Sequence, residues 1–367
     1  MPVIRVFLFI ATAMLIAVAC DKNVERSQSK VHPTADYYEY LQGVEEFELN
    51  ETQTTYFTTF QKRFSAMEKV YELDDFLLTS FVWKILIDDQ DIYILDINQL
   101  MMFRLRPNNQ IDTLAFKGRG PGEISSPKTF ALEGDQLYIT DYINGLFSID
   151  LNNGEYNRIS DGLYVEDFEV VDKHFVIKRF ISSDDALYST FKNIKIIDSN
   201  GLEANKFGNT YLDNHVWALS FYQQGQIAVS QSKRLLLEYD KFLPVIEKFT
   251  IDGKLIWSRK VPNFMIVNIK SQPGQWRVDE PYLGEKANLF NTIRSMHMLS
   301  DSVAIMQIDK VSWTEGSIYE SGKIKTYLMN LNTAEITELQ NLYRIRAIND
   351  HSVVLEVKKN KFVLYSY

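Results

Sequence analysis

Asp91-Ile-Tyr-Ile-Leu-Asp96 followed by Leu100-Met-Met-Phe-Arg-Leu105, and Gln136-Leu-Tyr-Ile-Thr-Asp141 followed by Gly145-Leu-Phe-Ser-Ile-Asp150, are the stretches from which the fold is read. Each is a short run rich in β-branched and aromatic residues, then a polar turn, then a second such run, which is the pattern of paired antiparallel strands. Weaker copies begin at His174, Gln226, Ser302 and Ser352, making six units at uneven spacing. Uneven spacing is expected when loops vary while each sheet keeps four strands. Such a sheet has two apolar faces, so it needs a neighbour on both sides. Radial closure of six sheets supplies them and leaves only short, protected edges. The expectation is an all-β, six-bladed β-propeller over residues 56–367. A β-sandwich leaves the six-fold cadence unexplained.

The chain ends give a separate reason. The sixth unit, Arg344–Ile348, Ser352–Val357 and Lys361–Tyr365, supplies three strands and then stops. Phe64–Leu73, which alternates as a half-buried strand does, is expected to complete that last blade and close the ring.

Ahead of the body, residues 1–19 have the layout of an export signal: one positive charge at Arg5, an apolar run from Val6 to Val18, and Ala17-Val18-Ala19 before Cys20. The run is too short for a stable span of about 20 apolar residues. The sequence resembles the bacterial lipobox, which implies cleavage before Cys20 and acylation, including palmitate, of that residue. Cys20 is the only cysteine, so the chain can form no internal disulfide. Residues 20–55 are polar and read as a flexible spacer between a lipid anchor and the folded body. The expected location is the cell envelope, lipid-anchored at the outer membrane.

Hydrophobic residues make up 46% of the chain and aromatics 13%, which excludes disorder for the bulk of it. The formal charge of −9 becomes −10 without Arg5. With no basic run to offset it, that charge disfavours nucleic acid as a partner.

Between the first two units lies Phe116-Lys-Gly-Arg-Gly-Pro-Gly-Glu123. It resembles the glycine-rich loop of the six-bladed, TolB-like β-propeller lipoproteins of Bacteroidetes, over roughly residues 64–160. The resemblance implies the same fold and an envelope location, and brings no catalytic residues with it. Read on its own, the loop has glycines that allow close backbone approach, while Arg119 and Glu123 can pair with each other or face a ligand. No Gly-Lys-Ser/Thr follows, so it is not a nucleotide loop. The simpler reading is a blade-to-blade crossover of fixed shape.

The remaining motifs are thin. Asp252-Gly253 reads as a tight hairpin turn rather than a sialidase or quinoprotein signature. The histidines (His32, His174, His215, His297, His351) are scattered, with His215 and His297 placed where a channel would gather residues. Asp88-Asp89-Gln90-Asp91 and Ser182-Ser-Asp-Asp185 have calcium-type oxygens but read as solvated turns. No metal and no cofactor is expected. The longest interruption of the cadence, Pro262 to Leu289, holds Trp276 and Arg277, residue types that dominate binding hot spots. The preferred functional expectation is a non-catalytic binding or scaffold module for an envelope protein or small ligand. The alternative is a lactonase-like hydrolase or lyase with a cation in the central channel, built from carboxylates of several blades.

Overall fold

A computed structural model describes residues 41–50, 58, 62–73, 81–161, 165–179, 193–208, 224–230, 232–266, 269–272, 275–278, 288–314, 317–339, 343–359 and 361–366. Blade 1 consists of Val82–Asp88, Asp91–Asp96, Met101–Leu105 and Ile111–Lys117, with the short Glu123–Ile124 paired outside it. Blade 2 is Pro127–Glu133, Gln136–Asp141, Gly145–Asp150 and Tyr156–Ser160, and blade 3 is Val165–Val171, His174–Arg179, Ile194–Ile197 and Glu203–Phe207. Blade 4 is Gly225–Val229, Leu235–Asp240, Val245–Thr250 and Leu255–Lys260. Blade 5 is Asn288–Ser300, Val303–Thr314, Ser317–Asn330 and Glu335–Leu339. Blade 6 takes Arg344–Ile348, Ser352–Lys358 and Lys361–Ser366 from the C-terminus and Glu68–Glu72 from the N-terminal side. The first strand of each blade lies beside the first strand of the next, and the sixth lies beside the first. The molecule is a six-bladed β-propeller.

The alternation within single strands explains the ring. Ile92 and Ile94 point into a core shared with blade 6 residues such as Val354 and Phe362. Tyr93 and Leu95, on the other face of the same strand, join Phe130, Leu137 and Ile139 of blade 2. The same division recurs around the axis, giving an apolar core in each of the six wedges between blades. Both faces of every sheet are therefore buried, and each fully buried aliphatic or aromatic side chain contributes about 1.5–3 kcal/mol.

Closure is as expected in pairing and shorter in extent. Glu68–Glu72 runs antiparallel to Lys361–Ser366, with Glu68 opposite Ser366 and Glu72 opposite Val363. Residues 62–65 form a helical turn rather than strand. The reason is packing: Phe64 is turned into the wedge between blades 5 and 6, while Leu73 enters the wedge between blades 6 and 1. The closing strand is pinned at both ends.

Within the segment read as spacer, residues 41–50 lie against the rim. Leu41, Val44 and Phe47 recur every third residue and are all buried, and Phe47 meets Trp257 edge-on at 5.6 Å. Glu46 bridges to Lys260 of blade 4, and Glu48–Leu49 adds a parallel strand outside Glu335–Leu339 of blade 5. Glu45 and Arg259 pair at 2.8 Å. The rest of the spacer, the export signal and Cys20 lie outside the described residues. No helix among the described residues is long and apolar enough to cross a membrane.

Pro262 to Leu289, read as a loop, contains a hairpin of Ile269–Gln272 and Gln275–Val278, and Asn288 already belongs to blade 5. The hairpin strands flank Pro273-Gly274, residues suited to a turn. The turn at Asp252-Gly253 is as expected, with Gly253 at φ +92° and its N–H donating to the Thr250 carbonyl at 2.9 Å.

Candidate functional site

The inner strands carry a shared irregularity. In blade 1, Val82 faces Asp96 and Lys84 faces Leu95, so Trp83 is an extra, bulged residue. The same slip occurs at Lys128 in blade 2 and Glu166 in blade 3. It recurs at Arg294 in blade 5 and Arg346 in blade 6. A bulge re-aims a side chain out of the sheet's alternation. Here it re-aims five large polar or aromatic residues of five inner strands, Trp83, Lys128, Glu166 and Arg346 near the strand starts and Arg294 in the middle of its longer strand, at one end of the central channel.

These residues meet. Lys128 pairs with Glu166 at 3.1 Å and lies 5.4 Å from the Trp83 ring centroid. Lys241, in the turn between the second and third strands of blade 4, brings its ammonium to 5.5 Å from the same ring. Burial pushes Lys241 down to about 8; Glu166 opposes the shift, and Lys128, Arg344 and Arg294 add to it. Lys128 moves the other way, because Glu166 and neighbouring charges outweigh the cost of its burial. Arg294 pairs with Asp309 at 3.2 Å, and Arg346 with Glu356 at 3.1 Å.

Deeper in the channel is a cavity of about 210 Å³ whose polar lining includes Lys84, Asp167, Glu169, Gln226 and His297. Lys84 reaches from blade 1 to Asp167 at 3.1 Å and Glu169 at 3.4 Å on blade 3. Burial works against the Lys84 charge, yet the two carboxylates raise its pKa on balance. Glu169 is raised by burial and by Asp167 against the pull of Lys84. Asp167 also accepts from Thr129 at 3.2 Å and from the Ile227 N–H at 3.3 Å. Burial pushes His297 down to about 4, with Arg346 and Lys84 adding to the shift against a hydrogen bond to the Ile345 backbone. It is a neutral ring whose Nε2 is buried without a partner.

A cation of the lactonase type does not fit this donor set. Lys84 pairs with both channel carboxylates, Asp167 and Glu169, and Lys84 and Arg346 lie near His297, the histidine of the channel among the described residues. No grouping of three His, Cys, Asp or Glu among the described residues is arranged to hold a metal.

The residues singled out from sequence are dispersed. Glu123 turns back into its own loop, its Oε2 accepting the Gly120 N–H at 2.6 Å, while Asn144 Nδ2 donates to its carbonyl at 2.9 Å. Arg119 is exposed beside it. The Gly120 N–H is thus turned toward an internal carboxylate, and the Gly118 and Glu123 N–H groups donate to the Ile124 and Gly120 carbonyls. Trp276 and Arg277 sit opposite Ser271 and Lys270 in the hairpin, which enters the chain between the last strand of blade 4 and the inner strand of blade 5. By connectivity it belongs to the face on which the inner strands begin. Of the histidines, His297 lines the channel, His174 and His351 are exposed, and His32 and His215 lie outside the described residues. Asp88–Asp91 forms a hairpin turn in which Asp91 binds Arg104 at 2.7 Å. Ser182–Asp185 is outside the described residues. Trp83, Lys128 and Lys241 did not emerge from the sequence pattern; for Trp83 and Lys128 the available signal was a tryptophan or charge at the second position of an inner strand, and for Lys241, in a turn of blade 4, there was none.

No family profile and no curated protein matches the chain. Among solved structures, an exported protein from Bacteroides fragilis is similar, with a TM-score of 0.50 at 11% identity over 88% of this chain and 99% of that one. A streptogramin B lyase gives 0.45 at 12% identity, covering 82% of this chain and 96% of its own. A virginiamycin B lyase from Staphylococcus aureus gives 0.46 at 10% identity, covering 82% and 99%. The first likeness supports the fold alone, and the two lyase scores carry no argument about chemistry.

Proposed function

We propose that this chain is an envelope-tethered binding propeller of the TolB-like kind found in Bacteroidetes, exported and lipid-anchored through Cys20 at the outer membrane. It presents the bulged end of its channel to a protein partner or ligand. The observation that carries the binding reading is the concentration of Trp83, Lys128, Arg294 and Arg346 at that end. Large aromatic and basic residues brought out of a β-ladder at a repeated position form a recognition surface, although Arg294 and Arg346 also pair with Asp309 and Glu356 of their own blades. The layout of residues 1–20 supports export, and the similar Bacteroides structure is itself that of an exported protein. The hydrolase or lyase reading is less supported, because Lys84 holds the carboxylates that a channel cation would need.

The test is affinity capture of the full-length protein from native membranes, with the Trp83→Ala, Lys128→Ala double variant run beside it. A partner or ligand recovered with the native chain and lost with the variant is the expected result. Equal recovery by both places the binding surface elsewhere.

A further inference from the structure

We propose that the bulged end of the channel binds a small organic anion, its carboxylate or phosphate group held by Lys241 and Lys128 beside Trp83 and its hydroxyl-bearing remainder in the cavity below. This rests on the binding reading and gives it a ligand class.

Two ammonium groups, Lys128 and Lys241, share the Trp83 ring, and one carboxylate, Glu166, lies between blades 2 and 3 to answer them. Lys241 makes no ion pair and no side-chain hydrogen bond among the described residues. Among the described residues, the groups around it are Trp83 from blade 1, Lys128 from blade 2, Glu166 from blade 3, Arg294 from blade 5 and Arg344 from blade 6. Four of those five neighbours are charged, and three of the four are cations. Glu166 is already paired with Lys128, so Lys241 stands half-buried among an excess of cations, and an incoming anion would offset that excess. The cavity adds a second, independent feature. It offers an acceptor in Glu169 and a donor in Gln226, whose Oε1 accepts from the Tyr239 hydroxyl, beside Arg294, Arg344 and Arg346 and with Trp83 in its wall. That is a lining for hydroxyl groups rather than for an aliphatic chain.

Glucose 6-phosphate and glucuronate serve as probes with a phosphate and a carboxylate arm, and glucose is the neutral control on the same ring. Titrated into the full-length protein at low salt, at least one anion is expected to bind and raise the melting temperature, whereas glucose is not. Lys241→Gln is expected to weaken that binding about tenfold or more without lowering the melting temperature of the free protein. Lys241→Arg restores it. The native affinity falls as pH rises through about 8, where the Lys241 ammonium loses its proton, and the Arg variant loses that dependence. Equal binding of glucose, no binding of either anion at about 10 mM, or unchanged binding by Lys241→Gln overturns the proposal. If neither anion binds while membrane capture still depends on Trp83 and Lys128, the ligand class is wrong and the binding module stands.

Discussion

Glu123 is a polar residue whose role is set by two glycines. A Cβ on Gly118 would lie 1.9 Å from its Oε2, so the carboxylate folds over the loop only because Gly118 has no side chain. Once there it satisfies the Gly120 N–H. Gly118→Ala therefore displaces the carboxylate and is expected to cost about 1–2 kcal/mol, the value of one hydrogen bond with its orphaned donor. Glu123→Ala should cost a similar amount, and the pair should be less than additive in a thermal-melting cycle, since the second change finds the bond already gone. Lys178 presents a larger effect. It is fully buried, pairing with Asp240 at 2.6 Å and with Glu238. Burial raises Asp240 to about 7 and raises Glu238 as well, with Lys178 opposing both shifts. A carboxyl that keeps its proton to pH 7 in the fold but to about pH 4 when unfolded makes the fold less stable as pH rises between those values. Lys178→Met removes the ammonium that opposes this trend. Its destabilisation is expected to reach about 3–5 kcal/mol near pH 8 and to shrink as pH falls below about 7, where Asp240 takes up its proton; urea unfolding at pH 8 and at about pH 5 measures it.

At the scale of the strand and turn, the first two units were the most legible because one residue type does the same work in both. Asp96 Oδ1 takes the N–H groups of Asn98 and Gln99, and Asp141 Oδ1 takes those of Ile143 and Asn144. The second oxygen ties the incoming loop, through Phe81 in one case and Ser125 and Ser126 in the other. A turn locked by an acid needs that acid at a fixed place, so its recurrence marks blades. The bulges left no such trace: a slip of register depends on the partner strand, and Trp83 or Lys128 reads as an ordinary strand residue. The site was illegible for that reason, while the blades that hold it were not. The segment 41–50 was hidden in another way, by polar neighbours that mask a short apolar repeat. Its packing predicts that Phe47→Ala, by emptying the space against Trp257, costs about 3–5 kcal/mol in thermal or denaturant unfolding. An exposed spacer residue would give a change within about 0.5 kcal/mol.

The whole ring depends on a closure between residues nearly a chain length apart. Every other wedge joins blades adjacent in sequence, whereas blade 6 takes its outermost strand from Glu68–Glu72. This was legible because the count of strands came up one short at the C-terminus and one strand stood unassigned before blade 1. Without Glu68–Glu72, Lys361–Ser366 becomes a bare edge, and the wedges that receive Phe64 and Leu73 each lose a buried side chain. Deleting residues 64–73 is therefore expected to abolish cooperative melting of the body rather than merely to lower its temperature. Since a deletion can fail for trivial reasons, the same pairing can be locked. Lys69 faces Tyr365, and Cys20 is the only native cysteine, so Lys69→Cys with Tyr365→Cys in a Cys20→Ser background places one new thiol pair across the closure. Cross-linking so long a loop removes chain entropy from the unfolded state, and oxidation is expected to raise stability by about 2–5 kcal/mol, reversibly on reduction. A deletion mutant that still melts sharply at the native temperature, together with a disulfide that changes nothing, would show that the ring does not hold itself shut through its first strand.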